Sequence, residues 1–229
     1  MDFATGATVF PGGKVDEGDA SPLARRRSRG LDGLADEEAA LRIAAVRETF
    51  EECGVLLART EGSDALISGE RLAELEPYRD KLHKGELTIL EFLQQEKLRL
   101  ACDTLVHFAH WVTPKMMPKR FDTHFFLAAA PADHLAVHDG HESVDSVWIT
   151  PADAIADAAA GKHTVIFPTL RNVEKLGTSA SVSDALAAAA DSTPVMVLPW
   201  MDKREDGTYL CIPEEAGYEV SQEKMPERA

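Results

Sequence analysis

Three carboxylates close together in the first quarter of the chain are the residues best placed to do chemistry. Glu48, Glu51 and Glu52 follow Arg47 within five positions. Residues three or four positions apart share one face of a helix, so these carboxylates would repel one another unless a cation lay among them. Oxygen ligands of this kind suit a hard divalent ion such as Mg²⁺ or Mn²⁺. The spacing therefore predicts a metal site carried by a helix.

A glycine turn upstream is the second feature suited to such a site. Residues 10–16 read Phe-Pro-Gly-Gly-Lys-Val-Asp. Glycine lets the backbone approach a ligand more closely than any other residue does. The turn is therefore a candidate neighbour of the carboxylates.

Taken in order, these two segments resemble the Nudix box, the signature of the Nudix hydrolases. That pattern is Gly, five residues, Glu, seven residues, then Arg-Glu-aliphatic-x-Glu-Glu-x-Gly-aliphatic. Gly13 takes the first position, Asp19 stands where the first Glu is expected, and residues 47–55 match the second half. The chain departs from the pattern in three ways. Asp19 is one methylene shorter than Glu, Thr49 replaces an aliphatic residue, and 27 residues rather than seven separate Asp19 from Arg47.

The resemblance implies a metal-dependent hydrolase that cleaves a nucleoside diphosphate linked to another group, by attack of water on one phosphorus. Divalent ions neutralise phosphate oxygens and help to activate the water. We expect Glu48 and Glu52 to bind Mg²⁺ or Mn²⁺, and Glu51 to be a further ligand or the base. The backbone carbonyl of Gly12 is expected to complete the ligands, and Arg47 to hold the glutamates through charge-assisted hydrogen bonds.

Further candidates lie outside the second half of the box. We expect Lys14 to meet a substrate phosphate, and Glu142, ahead of the apolar residues 147–149, is an alternative base. Arg120 either faces the substrate or forms a structural ion pair with Asp122. Residues 25–27 are three arginines that form either a solvated loop or a phosphate clamp.

The likeness extends beyond the box. Residues 110–114, 119–126 and 194–218 look like a Nudix subgroup with a lengthened box, similar to the peroxisomal coenzyme A diphosphatase branch. This resemblance favours coenzyme A or acyl-coenzyme A as the substrate. ADP-ribose, a dinucleotide or a nucleotide sugar is the alternative, since a fold does not determine a substrate. A non-catalytic nucleotide-binding module and an interaction protein acting through its helical insert also stay open.

The composition limits the classes of molecule that the protein is expected to bind. A formal net charge of −15 argues against nucleic acid, because phosphate backbones need a basic surface. A bound metal ion still permits small phosphorylated substrates. No apolar run reaches membrane-spanning length, and three widely spaced cysteines favour a reducing, cytoplasmic location without disulfides. Eleven residues precede Gly12, so the usual N-terminal strands are expected to be short or missing. Either the start is truncated or the sheet is completed differently, for example by the partner in a homodimer.

The fold class expected is α/β (α+β), because helices and strands alternate. The resemblance implies a Nudix-type α/β/α sandwich with a mixed sheet. We expect one domain over 1–229. The domain is predicted to contain an insertion within the box at about 20–39, in which residues 20–36 form a surface loop, and a helical insertion at about 61–103. The site helix is predicted over 36–53, with Gly54 ending it. Its predicted buried stripe is Ala39, Ala40, Ile43, Ala44, Val46 and Phe50.

Other elements are expected from composition and turn signals. In the insertion, Leu72, Leu75 and Leu82 mark one amphipathic segment, and Thr88 with Glu91 forms a capping box that opens a helix toward Leu100. Strands are predicted over 7–10, 105–112, 124–130 and 146–149, and helices over 151–160 and 182–190. Residues 195–198 and 208–212 are predicted to pair as a hairpin.

Overall fold

The computed structural model describes residues 7–134 and 146–226 of the chain. The helices are α1 (Pro22–Arg26), α2 (Asp36–Cys53), α3 (Gly69–Leu75), α4 (Tyr78–His83), α5 (Ile89–Gln95), α6 (Pro151–Ala159), α7 (Phe167–Gly177) and α8 (Val182–Ala190). The strands are β1 (Ala7–Thr8), β2 (Ala58–Thr60), β3 (Leu98–Leu100), β4 (Val106–Val112), β5 (Asp122–Leu127), β6 (Thr164–Val165), β7 (Met196–Val197), β8 (Trp200–Arg204), β9 (Gly207–Cys211) and β10 (Gln222–Lys224).

The chain divides into two compact units. The helical unit comprises Pro11–Leu105 and Ala128–Trp148 and holds α1–α5 with β2 and β3. The sheet unit comprises Met1–Phe10, Val106–Leu127 and Ile149–Ala229 and holds the other elements. Helices occur together with parallel and antiparallel strand pairs, which confirms the predicted α/β (α+β) class. Within the described residues, every helix is too short or too polar to cross a lipid bilayer.

The long helix α2 forms over the predicted residues. Its first turn carries three acidic residues, and their negative charge interacts favourably with the positive N-terminal end of the helix dipole. It ends where Gly54 adopts φ 72°, a left-handed conformation that glycine tolerates best. All six residues of the predicted apolar stripe are buried. Arg47, Glu51 and Glu52 are buried as well, which the amphipathic pattern did not predict.

Residues 61–103, the predicted helical insertion, contain three short helices, where two helical segments were expected. Helix α3 ends at Leu75 and α4 begins at Tyr78, so the predicted amphipathic segment is divided between the two helices. The capping box of Thr88 and Glu91 is confirmed at the start of α5. The expectation that this helix runs toward Leu100 is wrong, because α5 ends at Gln95 and Lys97 takes φ 53°. Residues Leu98–Leu100 then form β3, which pairs antiparallel with β2.

Two of the three arginines at 25–27 have structural partners for their side chains. Residues Pro22–Arg26 form α1, so the expectation of a plain loop over 20–36 is wrong there. Arg25 forms a 2.6 Å salt bridge with Asp36 and donates to two loop carbonyls. Arg27 forms a 2.6 Å salt bridge with Glu61. These contacts hold the insertion against α2 and the residues after β2, and they favour a structural role over a phosphate clamp.

The sheet unit is built on β4. This strand pairs antiparallel with β5 and parallel with β7, so the sheet is mixed. A second sheet has the order β10-β9-β8, and β1 pairs with β6. Helices α6 and α8 form over the predicted residues, whereas α7 was not predicted. The core of the unit is Phe108, Ala109, Trp111, Ala189, Val197, Ile212, Ala216 and Tyr218.

Two strand predictions in this part of the chain are wrong. Residues 195–198 do not pair with 208–212; β7 pairs with β4, and β9 pairs with β8 across a turn at Glu205 and Asp206. The described residues 146–149 form no strand. Their apolar members Val147, Trp148 and Ile149 are exposed, so hydrophobicity alone did not indicate a buried strand.

Candidate functional site

Arg47 connects the two halves of the box. Its Nε donates to Asp19 Oδ1 at 3.0 Å and its Nη2 to Asp19 Oδ2 at 2.9 Å. Its Nη1 donates to Glu48 Oε1 at 3.0 Å and to Glu51 Oε1 at 3.3 Å. The Asp19 side chain is 0% exposed, and that of Arg47 is 6% exposed. One buried guanidinium therefore joins the carboxylate of the first half to two carboxylates of the second.

The loop before Asp19 takes part in the same network. Arg47 Nη2 donates to the backbone carbonyl of Lys14 at 2.8 Å. The backbone N–H of Asp16 donates to Asp19 Oδ2 at 2.8 Å, so the loop backbone also holds that carboxylate. The Asp16 side chain lies farther out, 3.6 Å from Arg47 and 69% exposed. Aspartate is therefore long enough here, because the loop brings its backbone close to Arg47.

The two glycines bring the turn against the end of α2. The backbone N–H of Gly12 donates to Glu52 Oε2 at 3.0 Å. A Cβ added to Gly13 would lie 2.3 Å from Glu48 Oε1, so only glycine fits this position without displacing the carboxylate. The glycine turn therefore lies against the side chains of Glu48 and Glu52.

Burial determines the electrostatics of this cluster. Burial raises the pKa of Glu51 to about 6, although Arg47 acts in the opposite direction. Burial likewise raises the pKa of Glu48, again against the effect of Arg47. Asp19, Glu48 and Glu51 share the guanidinium of Arg47, and Glu52 adds a fourth carboxylate, so negative charge is in excess. Oxygen donors with excess negative charge fit a hard divalent ion.

The carboxylates are not gathered around a single point. Among the described residues, one group of three His, Cys, Asp or Glu side chains has ligand atoms within 4.8 Å of one another, and it is not the glutamates. The contacts explain this arrangement. Arg47 holds Glu48 and Glu51, whereas the N–H of Gly12 holds Glu52. The glutamate side chains are therefore held apart by separate hydrogen-bond partners.

A residue that the sequence analysis missed supports the helix end. Arg79, from α4, is 6% exposed and donates to the backbone carbonyls of Glu51 (3.0 Å) and Glu52 (3.1 Å). Carboxylates at a helix C-terminus oppose the helix dipole, and a cation there offsets that cost. Nothing in the sequence around Arg79 indicates this contact, because it depends on how α4 packs against α2.

Within the part of the chain that the structure describes, the side chains of Lys14 and Arg120 make no contact with Arg47 that joins this network. Lys14 has an exposed side chain beside the turn. Arg120 belongs to the sheet unit, where its Nε donates to the carbonyl of Thr113 at 3.0 Å. Asp122 lies against His110 and His124, so the suggested ion pair with Arg120 is not the contact it makes. Glu142, the alternative base, lies outside the described residues.

Comparison with known proteins identifies the family. The model of the NUDT19 Nudix domain matches residues 21–176, which is more than half of the chain. The chain belongs to the Nudix hydrolase family. Among solved structures, a crystal structure of a Nudix hydrolase from Alicyclobacillus acidocaldarius is similar, with 28% identity and a TM-score of 0.61. The similarity covers 85% of this chain and 84% of that one.

Two curated relatives belong to the same Nudix subgroup. The acyl-coenzyme A diphosphatase NUDT19 of Xenopus laevis is 24% identical over 213 residues, covering 76% of this chain and 56% of the relative. The acyl-coenzyme A diphosphatase NUDT19 of Homo sapiens is 29% identical over 222 residues, covering 80% of this chain and 59% of the relative. The Nudix chain described here thus spans less than two thirds of the length of these relatives.

Proposed function

We propose that this Nudix chain is a divalent-metal-dependent diphosphatase that cleaves the pyrophosphate of a nucleoside diphosphate linked to another group. The observation that carries the proposal is the buried network of Arg47. It joins Asp19 to Glu48 and Glu51 across the lengthened box, so the insertion leaves the two halves in contact. A solvated acidic helix face would not need a buried arginine in this position.

The oxygens at the end of α2 are the proposed ligands of Mg²⁺ or Mn²⁺. Glu48 and Glu52 are the first choice, with Glu51 as a further ligand or as the base that takes the proton from the attacking water. The carbonyl of Gly12 is the fourth donor proposed. A bound dication would neutralise charge on the phosphate oxygens. Arg47 keeps Glu48 and Glu51 in place, and their partial burial limits the water that competes for them.

Substrate contacts are proposed for the cations outside the cluster. Lys14 extends from the turn that also carries Gly12, so its ammonium group suits a phosphate held beside the glutamates. Arg120 is a second proposed phosphate contact. Glu142 stays a candidate base.

Coenzyme A or an acyl-coenzyme A is the substrate we favour. The support is the similarity to two acyl-coenzyme A diphosphatases and to the NUDT19 Nudix domain. ADP-ribose or a dinucleotide is the alternative substrate. A non-catalytic nucleotide-binding module is the second candidate function, and the wide spacing of the glutamate ligand atoms is the observation in its favour.

The test is hydrolysis of a substrate panel. The chain is incubated with Mg²⁺ or Mn²⁺ and coenzyme A, acyl-coenzyme A, ADP-ribose, NADH or diadenosine polyphosphate, and products are identified by mass. We expect cleavage of the coenzyme A pyrophosphate. Cleavage of ADP-ribose or of a dinucleotide alone would identify that compound as the substrate instead. Binding of a nucleotide without cleavage would support a non-catalytic binding function.

A matched pair of variants tests the ligand role of Glu52. Glu52→Gln keeps an oxygen that accepts from the N–H of Gly12 but removes the negative charge. We expect turnover to fall at least about 100-fold, equivalent to about 2.7 kcal/mol of transition-state stabilisation. Glu37→Gln makes the same change at the exposed start of the same helix and should leave turnover unchanged. Equal turnover in both variants would exclude Glu52 as a ligand.

We also propose the domain organisation, the location and the oligomeric state of the protein. Both units would form one Nudix domain with insertions at about 20–39 and 61–103. A reducing, cytoplasmic location is proposed from the wide spacing of Cys53, Cys102 and Cys211 in the sequence. A homodimer is proposed as well, and analytical ultracentrifugation would test it.

A further inference from the structure

One face of the β4–β5 ladder carries three histidines and an aspartate. His110 lies directly opposite His124, and Asp122 is two residues before His124, so these three side chains share a face. A β-bulge between His107 and Ala109 shifts the register. Phe108 and Ala109 both turn toward the core, which brings His107 to the same face as His110 despite their odd spacing.

The polar atoms of this histidine face converge. Asp122 Oδ1 lies 2.5 Å from His110 Nε2 and 3.6 Å from His124 Nε2. One ligand atom from each residue lies within 4.8 Å of the other two. In a tetrahedral site with bonds of about 2.0–2.1 Å, neighbouring ligand atoms are about 3.3–3.4 Å apart. The two distances fall on either side of that value. The rings of His110 and His124 are stacked, with centroids 4.0 Å apart and planes 17° apart, so the rings must turn before both nitrogens face one ion.

His107 can orient one of the ligands. Its Nε2 lies 3.1 Å from Nδ1 of His124, so one of the two nitrogens donates to the other. When Nδ1 of His124 carries the proton, its Nε2 has a lone pair that faces Asp122. Histidines that bind metals usually donate from the second ring nitrogen in this way.

We propose that His110, Asp122 and His124 form a binding site for a transition-metal dication, with His107 as a positioning residue. Two imidazole nitrogens and one carboxylate oxygen suit Zn²⁺ and other first-row transition metals better than Mg²⁺. The side chains of His110, Asp122 and His124 are 18%, 64% and 21% exposed, so an ion can reach them and a water can complete the coordination. The site shares no residue with the glutamates proposed for hydrolysis.

Metal binding by the whole chain tests the proposal. The protein is stripped with a chelator, supplied with excess Mg²⁺ for the oxygen ligands, and titrated with Co²⁺, whose visible absorption reports nitrogen ligation. We expect one equivalent of Co²⁺ with visible bands that Zn²⁺ displaces. Either His110→Ala or His124→Ala should weaken binding by more than about 100-fold, and His107→Ala by about 10–100-fold.

Matched controls separate this site from the rest of the chain. His163→Ala removes an exposed histidine and should leave the titration unchanged, as should Glu52→Gln. Asp122→Asn, at a well-exposed position, provides a ligand variant that should fold normally and also weaken binding. Absence of visible bands in the wild-type protein, or bands that survive in both His110→Ala and His124→Ala, would overturn the proposal. Loss of the bands in Glu52→Gln would do the same. Product formation is not the readout, so failure here leaves the hydrolase proposal standing.

Discussion

Replacing Asp19 with asparagine tests the most buried contact of the site. Asp19 accepts from two nitrogens of Arg47 and from the backbone N–H of Asp16, and its side chain is 0% exposed. The asparagine side chain has the same shape but no charge, and its NH₂ group would face donors of Arg47. Hydrogen bonds to charged groups contribute about 1.5–3 kcal/mol each, and breaking a buried pair costs about 3–5 kcal/mol. Because one oxygen acceptor remains, we expect a loss of about 2–4 kcal/mol in the free energy of unfolding.

The control is the same substitution three residues earlier. Asp16 lies in the same loop and faces the same guanidinium, but at 3.6 Å and with its side chain 69% exposed. Exposed ion pairs contribute about 0–1 kcal/mol, so Asp16→Asn should change stability little. Comparing the two variants therefore isolates the effect of burial on one chemical change.

Urea unfolding of both variants gives the answer. The midpoint should fall markedly for Asp19→Asn with an unchanged slope, and hardly move for Asp16→Asn. For a chain of this size the melting temperature should fall by about 2–4 °C per kcal/mol. Equal midpoints for the two variants would refute the reasoning, because Asp19 could not then be the buried partner that holds Arg47.

Three further predictions concern single positions. Gly13→Ala should lower turnover by up to about 100-fold, because the added Cβ would lie 2.3 Å from Glu48 Oε1. Steady-state kinetics measures the turnover, and an unchanged value would contradict the prediction. Gly54→Ala should destabilise the chain more than Gly33→Ala. Both glycines have positive φ, a conformation that costs alanine about 1 kcal/mol. Only at Gly54 would the added Cβ also lie 3.0 Å from the guanidinium of Arg79. Equal losses in the free energy of unfolding, measured in urea, would argue against that crowding. Cys102 should resist iodoacetamide near pH 8 in the folded chain, because burial raises its pKa to about 12; peptide mapping by mass would reveal rapid labelling if this is wrong.

Features governed by neighbouring residues were predictable from the sequence. The site helix α2 has acidic residues at its start, an apolar stripe and a terminal glycine, and it forms over the predicted residues. The capping box of Thr88 and Glu91 is equally local and also forms. The unpredicted helix α7 carries such a signal as well, since Pro168 lies in its first turn. Its omission was an error of interpretation rather than a limit of the sequence.

Features governed by strand pairing were not predictable in the same way. Residues 195–198 have the composition of a hairpin strand, yet β7 pairs with β4, about 85 positions earlier. The histidine face depends on a bulge, which turns the spacing of His107 and His110 into a shared orientation. In the site itself, the resemblance indicated Asp19 and Arg47, but their burial follows from the packing of the whole loop.

The contact of Arg79 with the last carbonyls of α2 gives the insertion over 61–103 a direct mechanical connection to the glutamates. Because α4 supplies that cation, excising the segment would leave the carbonyls of Glu51 and Glu52 without the guanidinium that donates to them. Helix α4 therefore supports the end of α2. A small molecule or antibody that shifts α4 would act on Glu51 and Glu52 through their backbone carbonyls.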